Sequence, residues 1–375
     1  MGGLRVAAAL SEHPLATHAT GECVGHLLEH VGPSPDLLVV AVTPPLLGAL
    51  DDVVGAARGL LGPAVTLGVG AASVLGGPRE VEGRAAVSMF AVATGGLAPA
   101  ARAVRLDAPQ HLDELRGRAG TLLLLADPLS ARFDDVVRHL AATAPDLLVV
   151  GGTASGAQHA RGNRLVLDGA TFSEGAVGAL LPPEVPVRAV VSQGCRPVGP
   201  TFTVTGVEGQ VLTSLAGAPA LDRLDEVRAS LVGQTAVPSR DEVLVGRVVD
   251  EHLLDVGRGD LLARAVLRVD AAAATVAVDD RMALGDRVQF LVRDAATAHD
   301  DLCELVGGES AAGAFVLTSV ARGHRLFGEA DHDAGVVDEA LDGAPTAGIF
   351  CGAEAGPVGG TSFTHSGSAT VLLFG

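Results

Sequence analysis

The sequence predicts an α+β protein of two domains, with mixed, largely antiparallel sheets packed under helices in a layered α/β/β/α-like arrangement. Three observations support this class. Short apolar runs bounded by turn residues recur through the first half of the chain, and segments with helical spacing lie between some of them. Several runs are too continuously apolar to leave one face in water. Hydrophobic residues make up 48% of the 375 residues, which is enough for a sizeable core.

Apolar runs predict the strands of the first half, and segments with apolar residues three and four positions apart predict its helices. The predicted strands are residues 4–10, 37–42, 65–69, 84–92, 103–106, 121–126, 147–150, 164–167 and 187–192. The predicted helices are residues 16–30, 49–60, 133–142 and 173–181. Sheets covered by helices are the expected result.

The second half begins with alternating apolar residues over 202–212, which predict a hairpin that turns at 207–209. A helix is predicted over 221–231, followed by strands that alternate with two acidic helices. We place the domain boundary here, with a first domain of residues 1–200 and a second domain of residues 201–375. The acidic helices are residues 296–305 and 334–341, and further strands are residues 314–317 and 369–374.

Partial repeats are visible along the chain. The segment at 35–40, Pro-Asp-Leu-Leu-Val-Val, recurs at 145–150. The small-residue segment at 67–73 is echoed at 150–155, and a third echo comes at 347–354. The echoes do not share one offset, so they suggest an internal duplication without fixing its period.

Composition excludes several classes of function. All 26 basic residues are arginine. Schiff-base and pyridoxal phosphate chemistry, the GxxxxGK[ST] phosphate loop, the kinase strand lysine and the Ser-x-x-Lys acylation motif all need a lysine. Tryptophan and tyrosine are absent and the formal charge is −18, so the sequence disfavours nucleic acid as a partner.

The sequence favours a cytoplasmic protein that does not insert into a membrane. A long uncharged run, residues 59–78, carries six glycines and two prolines, whereas a spanning helix needs about 20 mostly apolar residues. Polar residues at 11–14 interrupt the N-terminal apolar stretch, which argues against a signal peptide. The four cysteines lack CxxC spacing, which fits reduced thiols.

Two distant stretches each place an arginine beside glycine and a small nucleophilic side chain. They are residues 192–200, Ser-Gln-Gly-Cys-Arg-Pro-Val-Gly-Pro, and residues 318–328, Thr-Ser-Val-Ala-Arg-Gly-His-Arg-Leu-Phe-Gly. A planar guanidinium suits a carboxylate or phosphate gripped at two points. In order and spacing these stretches resemble the FIST family (F-box and intracellular signal transduction), whose paired FIST-N and FIST-C domains are regarded as sensors for small ligands. The resemblance covers nearly the whole chain.

The resemblance and the chemistry together predict seven ligand-binding residues. Arg322 and Gly323 match the family's Arg-Gly pair, and Arg322 either clamps a ligand carboxylate, pairs with Glu354 or caps a helix end. Glu354 departs slightly from the family's residue order, and a buried carboxylate there needs a partner, either Arg322 or a ligand's amino group. The remaining predicted ligand-binding residues are Arg196, Cys195, Ser319 and His365.

Structural alternatives remain for several of these residues. Arg196 precedes a proline and is an exposed arginine beside a turn in the simpler interpretation. Ser319 does not lie in a Gly-x-Ser-x-Gly motif, so packing is its alternative role. Cys195 has no nearby histidine in sequence to act as a base. Near His365 the family often shows His-Asn, and Ser366 stands in place of the asparagine.

We therefore expect a bacterial small-ligand-binding sensory protein of signal transduction. The resemblance implies an amino acid or a similar carboxylate as the ligand, and a signalling protein as a partner. No cofactor is expected, and a zinc site at His26 and His30 is disfavoured because no carboxylate completes a His-Glu-x-x-His motif. Two alternatives stay open: a Ser/Cys-dependent hydrolase or transferase, and a protein-interaction scaffold.

Overall fold

A computed structural model describes residues 3–96, 101–231, 243–250, 252–253 and 256–375. The chain forms two compact units that are interleaved in sequence. The three-sheet unit comprises Met1–Ser192, Leu302–Pro357 and Thr361–Gly375, so far as these are described. The barrel unit comprises the described part of Gln193–Asp301 with Val358–Gly360. The predicted sequence domains, 1–200 and 201–375, divide the chain differently, and that division stays a prediction.

The three-sheet unit is built from one succession of strands and helices that occurs three times. The first repeat comprises β1 (Arg5–Ser11), α1 (Ala16–His30), β2 (Leu37–Val42), a 3-10 helix (Pro44–Ala49), α2 (Leu50–Leu61), β3 (Val65–Gly70), β4 (Ser73–Gly76), β5 (Arg79–Glu82) and β6 (Val87–Ala93). The second comprises β7 (Arg102–Leu106), α3 (Pro109–Asp113), β8 (Gly120–Ala126), α4 (Phe133–Thr143), β9 (Leu147–Thr153), β10 (Leu165–Leu167), β11 (Ala170–Phe172) and β12 (Ala176–Leu181).

The third repeat is interrupted by the barrel unit. It begins with β13 (Val187–Ser192). The barrel strands and helix follow as β14 (Arg196–Glu208), β15 (Val211–Leu215), β16 (Ala218–Pro219), α5 (Ala220–Ser230), β17 (Val243–Val248), β18 (Leu261–Asp270), β19 (Thr275–Val278) and β20 (Arg287–Val292), with a 3-10 helix at Arg258–Asp260. The chain continues with α6 (Ala295–Val306), β21 (Gly313–Ser319), α7 (His324–Phe327), α8 (His332–Ala340), β22 (Thr346–Cys351), β23 (Glu354–Val358), β24 (Thr361–His365) and β25 (Ala369–Phe374).

The repeats exchange hairpins in a closed cycle. Each six-stranded sheet has a parallel pair with a helical connection, namely β2 with β3, β8 with β9, and β21 with β22. The last strand of each repeat pairs antiparallel with the first strand of its own parallel pair. In sequence, a hairpin lies between the parallel pair and the last strand of each repeat, and this hairpin joins the sheet of another repeat. Hairpin β4–β5 pairs with β22, β10–β11 with β3, and β23–β24 with β9. Each sheet is therefore completed by a different repeat.

Both faces of these sheets are buried, and this explains their uninterrupted apolar strands. The inner faces of all three sheets meet in one central core, in which Phe90 lies 5.4 Å from Phe315 and 5.3 Å from Phe374 between ring centroids. Helices cover the outer faces in separate cores. Burial of one such large side chain contributes about 1.5–3 kcal/mol. All six positions of β2 are buried, as expected for a strand with no face in water.

A glycine recurs at one register position of the second parallel strand, at Gly68, Gly151 and Gly348. A Cβ atom on Gly151 would lie 2.0 Å from the carbonyl oxygen of Leu124. One on Gly348 would lie 2.1 Å from that of Val316. The backbones of β9 and β22 approach their neighbours too closely for any side chain at these two positions.

The barrel unit is a closed antiparallel sheet. Its strands follow the order β14, β20, β17, β18, β19 and β15, and pairing of β15 with β14 closes the ring. Phe202 and Phe290 meet edge to face inside it, with ring centroids 5.9 Å apart. Helix α5 adds Leu221, Leu224 and Val227 to the same core. The hairpin predicted at 202–212 and the helix predicted at 221–231 are both present here, as β14–β15 and α5.

The mixed sheets packed under helices confirm the predicted α+β class. The helix predicted over 173–181 is wrong, because Ala176–Leu181 is strand β12, buried at all six positions between β7 and β8. Its sequence is apolar at every position, so a spacing of three and four carries no information there. Among the described helices, none is long and apolar enough to cross a membrane.

The predicted echoes divide into two kinds. The segments at 67–73, 150–155 and 347–354 each cover the end of the second parallel strand, so they are equivalent in the three repeats. The segments at 35–40 and 145–150 contain β2 and β9, which are not equivalent strands. A loop at 154–164 separates β9 from β10, whereas two residues separate the corresponding strands β3 and β4. The echoes lack a common offset because one kind relates equivalent strands and the other does not.

We expect Gly151→Ala to destabilise the protein by about 1–3 kcal/mol or more, because the new methyl group would collide with a backbone oxygen that cannot rotate away. The matched control is Gly21→Ala, at an exposed position of α1 where nothing lies within 4 Å of a new Cβ. That change should raise stability by about 0.5–1 kcal/mol. Urea unfolding measures both, and a stable Gly151→Ala protein would contradict the close strand approach.

Candidate functional site

A cavity of about 250 Å³ lies in the three-sheet unit, beyond the carboxyl ends of β3, β8, β9, β21 and β22. Its lining residues come within a few positions of those strand ends, so all three repeats contribute to it. In open sheets with parallel strands, ligands bind outside the carboxyl ends of the strands. The lining consists of Ala72, Pro128, Leu129, Ala154, Ser155, Ala157, Gln158, Val320 and Gly352.

Ser155 ties three strand ends together at the cavity. Its Oγ accepts a hydrogen bond of 2.8 Å from the backbone N–H of Ala72, which follows β3. The same hydroxyl donates to the carbonyl oxygen of Phe350 in β22. The Ser155 backbone N–H donates to the carbonyl oxygen of Gly70 at 3.3 Å. Backbone groups thus occupy the donor and one acceptor position of this hydroxyl, which gives it a structural role.

A buried polar network holds the loop at 154–164. Asn163 Nδ2 donates to Asp127 Oδ1 at 3.2 Å, and Asn163 Oδ1 accepts from the backbone N–H of Ala157 at 2.9 Å. The other oxygen of Asp127 accepts from Ser130 Oγ at 2.6 Å. Asn163 and Asp127 are both fully buried. The loop that carries Ala157 and Gln158 into the cavity lining is therefore fixed at its base.

Three predicted ligand-binding residues, Ser319, Glu354 and His365, come together around the turn between β24 and β25. Ser319 Oγ accepts a hydrogen bond of 3.2 Å from the backbone N–H of Gly367. Glu354 Oε2 accepts one of 2.8 Å from Ser368 Oγ. His365 Nε2 lies 3.1 Å from a backbone carbonyl oxygen of β23. All three side chains are buried.

Glu354 takes a position that apolar residues hold in the other repeats. It pairs with the residue that follows Gly151, and the same register places Leu165 and Val74 in the first two exchanged hairpins. Leu165 and Val74 belong to the central core. A carboxyl group buried there is costly unless it is hydrogen-bonded, and Ser368 supplies such a bond. Gly352, two residues before Glu354, lines the cavity.

Arg322 is fully buried, and Asp333 grips it at two points. Arg322 Nε lies 2.7 Å from Asp333 Oδ2, and Nη2 lies 2.8 Å from Oδ1. Thr318 and His332 also contact this carboxylate, at 2.6 and 3.0 Å. Burial alone would raise the pKa of Asp333, but the charge and hydrogen bonds of Arg322 lower it below its ordinary value. Glu354 was one predicted partner of Arg322, whereas the carboxylate that pairs with Arg322 is that of Asp333, which was not predicted.

Gly323 follows this buried arginine in a conformation that favours glycine. Its φ angle is +59°, and a Cβ atom there would lie 2.8 Å from a carboxylate oxygen of Glu82 in the β4–β5 hairpin. The predicted Arg-Gly pair therefore shapes the turn after β21, whose residue Val320 lines the cavity.

The exchanged hairpin β4–β5 also brings a second acid to Asp333. Glu80 Oε1 accepts a hydrogen bond of 3.0 Å from the backbone N–H of Ala334, in the first turn of α8. Glu80 is 4% exposed. Burial, followed by the charge of Asp333, raises the pKa of Glu80 to about 7. Its protonation is therefore expected to change close to neutral pH.

The two remaining predicted residues, Cys195 and Arg196, lie in the barrel unit. Cys195 is buried, and Arg196 is half-buried at the start of β14, opposite Val292 of β20. Their role in ligand binding stays a prediction. In the part of the chain that the structure describes, no group of three His, Cys, Asp or Glu residues is placed to hold a metal ion.

None of the nine residues that line the cavity was predicted from the sequence as a binding residue. Pro128, Leu129 and Gln158 belong to no motif, and only their position after apolar strands could have indicated them. Val320 lies within the 318–328 stretch but was not itself predicted as a binding residue. In the folded chain Leu129 and Val320 remain 59% and 38% exposed, which is high for large apolar side chains. That exposure at a cavity is a signal that the sequence alone does not contain.

Arg322→Ala is expected to lower the free energy of unfolding by about 3–5 kcal/mol, because it leaves Asp333 buried without its cation. The matched control is Arg132→Ala, which removes an arginine whose side chain is 83% exposed beside Asp135 and should cost no more than about 1 kcal/mol. Arg322→Lys keeps the charge but not the two-point grip, so it should fall between them. Urea unfolding measures all three, and equal losses in the two alanine variants would refute this assignment.

Glu80→Gln is expected to stabilise the protein progressively as the pH rises from about 5 to 8. A carboxyl group whose pKa is raised in the folded state stabilises less as the pH climbs from its ordinary pKa of 4.5 to its folded pKa of about 7. At 1.36 kcal/mol per unit the whole effect is about 3 kcal/mol. Urea unfolding at several pH values measures it, with Glu114→Gln at an exposed site as the control. A pH-independent difference between Glu80→Gln and the parent would contradict it.

Comparison with known proteins shows the family to which the chain belongs. The family model of the FIST N domain matches residues 36–218, and that of the FIST C domain matches residues 220–357. An uncharacterized protein of Mycobacterium tuberculosis is 34% identical over 392 aligned residues, which cover 99% of this chain and 100% of the relative. An uncharacterized protein of Mycobacterium bovis is 33% identical over 392 residues and is covered to 99%, as is this chain. The chain therefore belongs to the FIST family, whose domains are associated with sensing in signal transduction.

Proposed function

We propose that this protein is a sensory protein that binds a small ligand in the cavity at the carboxyl ends of β3, β8, β9, β21 and β22. The proposal rests on one observation: residues that follow strands of all three repeats line one cavity. A mostly apolar lining with a few polar groups is typical of small-molecule sites. Membership of a family associated with sensing supports the same role.

The predicted site residues have supporting roles in this proposal. Ser319 and Glu354 are bonded to the turn before β25, and His365, at the end of β24, is bonded to the backbone of β23. Arg322 and Gly323 fix the turn after β21 that presents Val320 to the cavity. The ligand then touches residues adjacent to the predicted ones and does not need a buried arginine to become accessible.

Binding is favoured over catalysis because Ser155, the serine that lines the cavity, donates its hydroxyl hydrogen to a backbone carbonyl oxygen and not to a base. Ser155 Oγ is bonded to two backbone groups, and Ser319 Oγ accepts from the backbone N–H groups of Ala321 and Gly367. A nucleophilic serine instead needs its hydroxyl directed at a base. We therefore prefer sensing to the hydrolase or transferase alternative.

The ligand class, partner and compartment are proposed from the family. FIST resemblance implies an amino acid or a similar carboxylate, which forms one arm of the ligand screen below. Because FIST domains are associated with signal transduction, a signalling protein is the proposed partner. The cytoplasm is the proposed compartment.

Ligand-dependent stabilisation should disappear in Val320→Trp. Val320 is 38% exposed, so a larger side chain can fill the cavity mouth without disturbing the core. A ligand at 100 times its Kd stabilises a protein by about 2.7 kcal/mol. A thermal-shift screen of amino acids, their amides, nucleotides and acyl thioesters, read with an external dye, identifies ligands of the parent protein and tests them on the variant.

The matched control for this screen is Leu60→Trp, because Leu60 is 60% exposed on α2, in the same unit. A compound that stabilises the parent and Leu60→Trp but not Val320→Trp would support the proposed site. Equal stabilisation of both variants would place the ligand elsewhere, and a broad screen without any stabilising compound would count against ligand binding.

A further inference from the structure

We infer that the cavity at the strand ends selects small uncharged ligands that pair an apolar body with a carboxamide-type group, and that it rejects carboxylates. The inference rests on the proposed function, since it names the ligand class of the same site. It departs from the amino acid or carboxylate ligand that family resemblance implies, because the lining of this cavity disfavours both charged groups of an amino acid. Three properties of the cavity support it: the charge of its lining, the charges behind its walls, and its available hydrogen-bonding groups.

The lining itself carries no charge. Its nine residues are alanine, glycine, proline, leucine, valine, serine and glutamine. An ionised carboxylate that enters such a site gives up hydration without gaining a cation in exchange, which is a large penalty. An ammonium group faces the same loss, because no lining residue is a carboxylate. An uncharged molecule avoids both costs.

The ionisable groups just behind the walls also disfavour an anion. Asp127 immediately precedes the lining residue Pro128, and Glu354 lies two residues after Gly352. Both acids are buried. Arg322, two residues after the lining residue Val320, is held at two points by Asp333. A ligand carboxylate would therefore meet acids behind two walls and an arginine that is already neutralised.

The polar groups of the lining match an amide. Ser155 uses its hydrogen and one acceptor position on the backbone, and a hydroxyl oxygen accepts two hydrogen bonds, so one acceptor position remains for a donor such as an amide N–H. Gln158 is exposed at the cavity and offers both a carbonyl oxygen and an N–H₂ group. A primary or secondary amide can satisfy both residues at once.

The size of the cavity limits the ligand. At about 30 Å³ per water molecule, 250 Å³ corresponds to about eight waters. Leu129 and Val320 provide apolar contact at the exposed side. A short branched alkyl chain or a single aromatic ring with one amide fits these limits, whereas a nucleotide exceeds them.

The test compares molecules that share a skeleton and differ in charge. Isovaleramide, isovalerate and isoamylamine form one set, and phenylacetamide, phenylacetate and phenethylamine form another. Titration calorimetry on the full-length protein should show each amide binding about tenfold or more tightly than its carboxylate and its amine, because only the charged forms lose ion hydration. Tightest binding of a carboxylate or an amine would overturn the inference.

A matched pair of variants ties the effect to the cavity. Gln158→Glu should weaken amide binding several-fold, because a carboxylate in the lining loses the N–H₂ donor and adds a negative charge. Gln110→Glu makes the same change at an exposed position of α3 and should leave amide binding unchanged. Equal effects of the two variants would overturn the assignment to this cavity.

Two outcomes distinguish a failure of this inference from a failure of the proposed function. If neither amide binds but another compound from the screen stabilises the parent and fails with Val320→Trp, ligand binding at the cavity stands and the uncharged class is wrong. If the amides bind equally to the parent and to Val320→Trp, both the site and the inference fail.

Discussion

The exchange of hairpins among the three repeats is the constraint on which the three-sheet unit depends. No repeat supplies a complete sheet, because the strands that extend each parallel pair come from a different part of the chain. Closing this cycle brings the inner faces of the sheets together in one core. It also brings the carboxyl ends of parallel strands from three repeats to one cavity, so the site follows from the same topology as the fold.

Buried polar groups occur where this regular scheme is broken. Arg322 and Asp333, Asn163 and Asp127, and Glu354 with its hydroxyl partner all belong to the connections or hairpins of individual repeats. Each such group loses hydration on folding, and hydrogen bonds of defined geometry compensate that loss. Each of these contacts lies within one repeat. The bond between Glu80 of hairpin β4–β5 and the backbone N–H of Ala334 joins two repeats, so an incorrectly paired β4–β5 would leave Glu80 without this partner.

The local elements could be predicted from the sequence, while their partners could not. Strand β2 and helix α1 were predicted correctly because apolar continuity and helical spacing are local properties. The helix predicted over 173–181 is wrong because residues 176–181 are all apolar, and such a stretch is compatible with both a helix and a buried strand. Hairpin β4–β5 was not predicted, since its place beside β22 depends on residues more than 250 positions away.

The same distinction applies to the site. Ser319, Glu354 and His365 were predicted as ligand-binding residues, and the structure places them around one turn. Their ligand-binding role remains a prediction. Gln158 and Leu129 carry no motif, because their importance comes from where a loop and a strand end meet. Because the three repeats share little sequence similarity, such positions become apparent only in the folded chain.

The position of strand β25 in the third sheet has a consequence for biosynthesis. It lies between β13 and β21, so the final strand of the unit to leave the ribosome fills the interior of a sheet and not its edge. Until it arrives, β13 has no partner in this sheet and one side of β21 is open, and unpaired strand edges invite pairing with other chains. The third sheet is therefore incomplete until β25 has been synthesised. Until then, the edges of β13 and β21 that β25 covers are exposed to pairing with other chains.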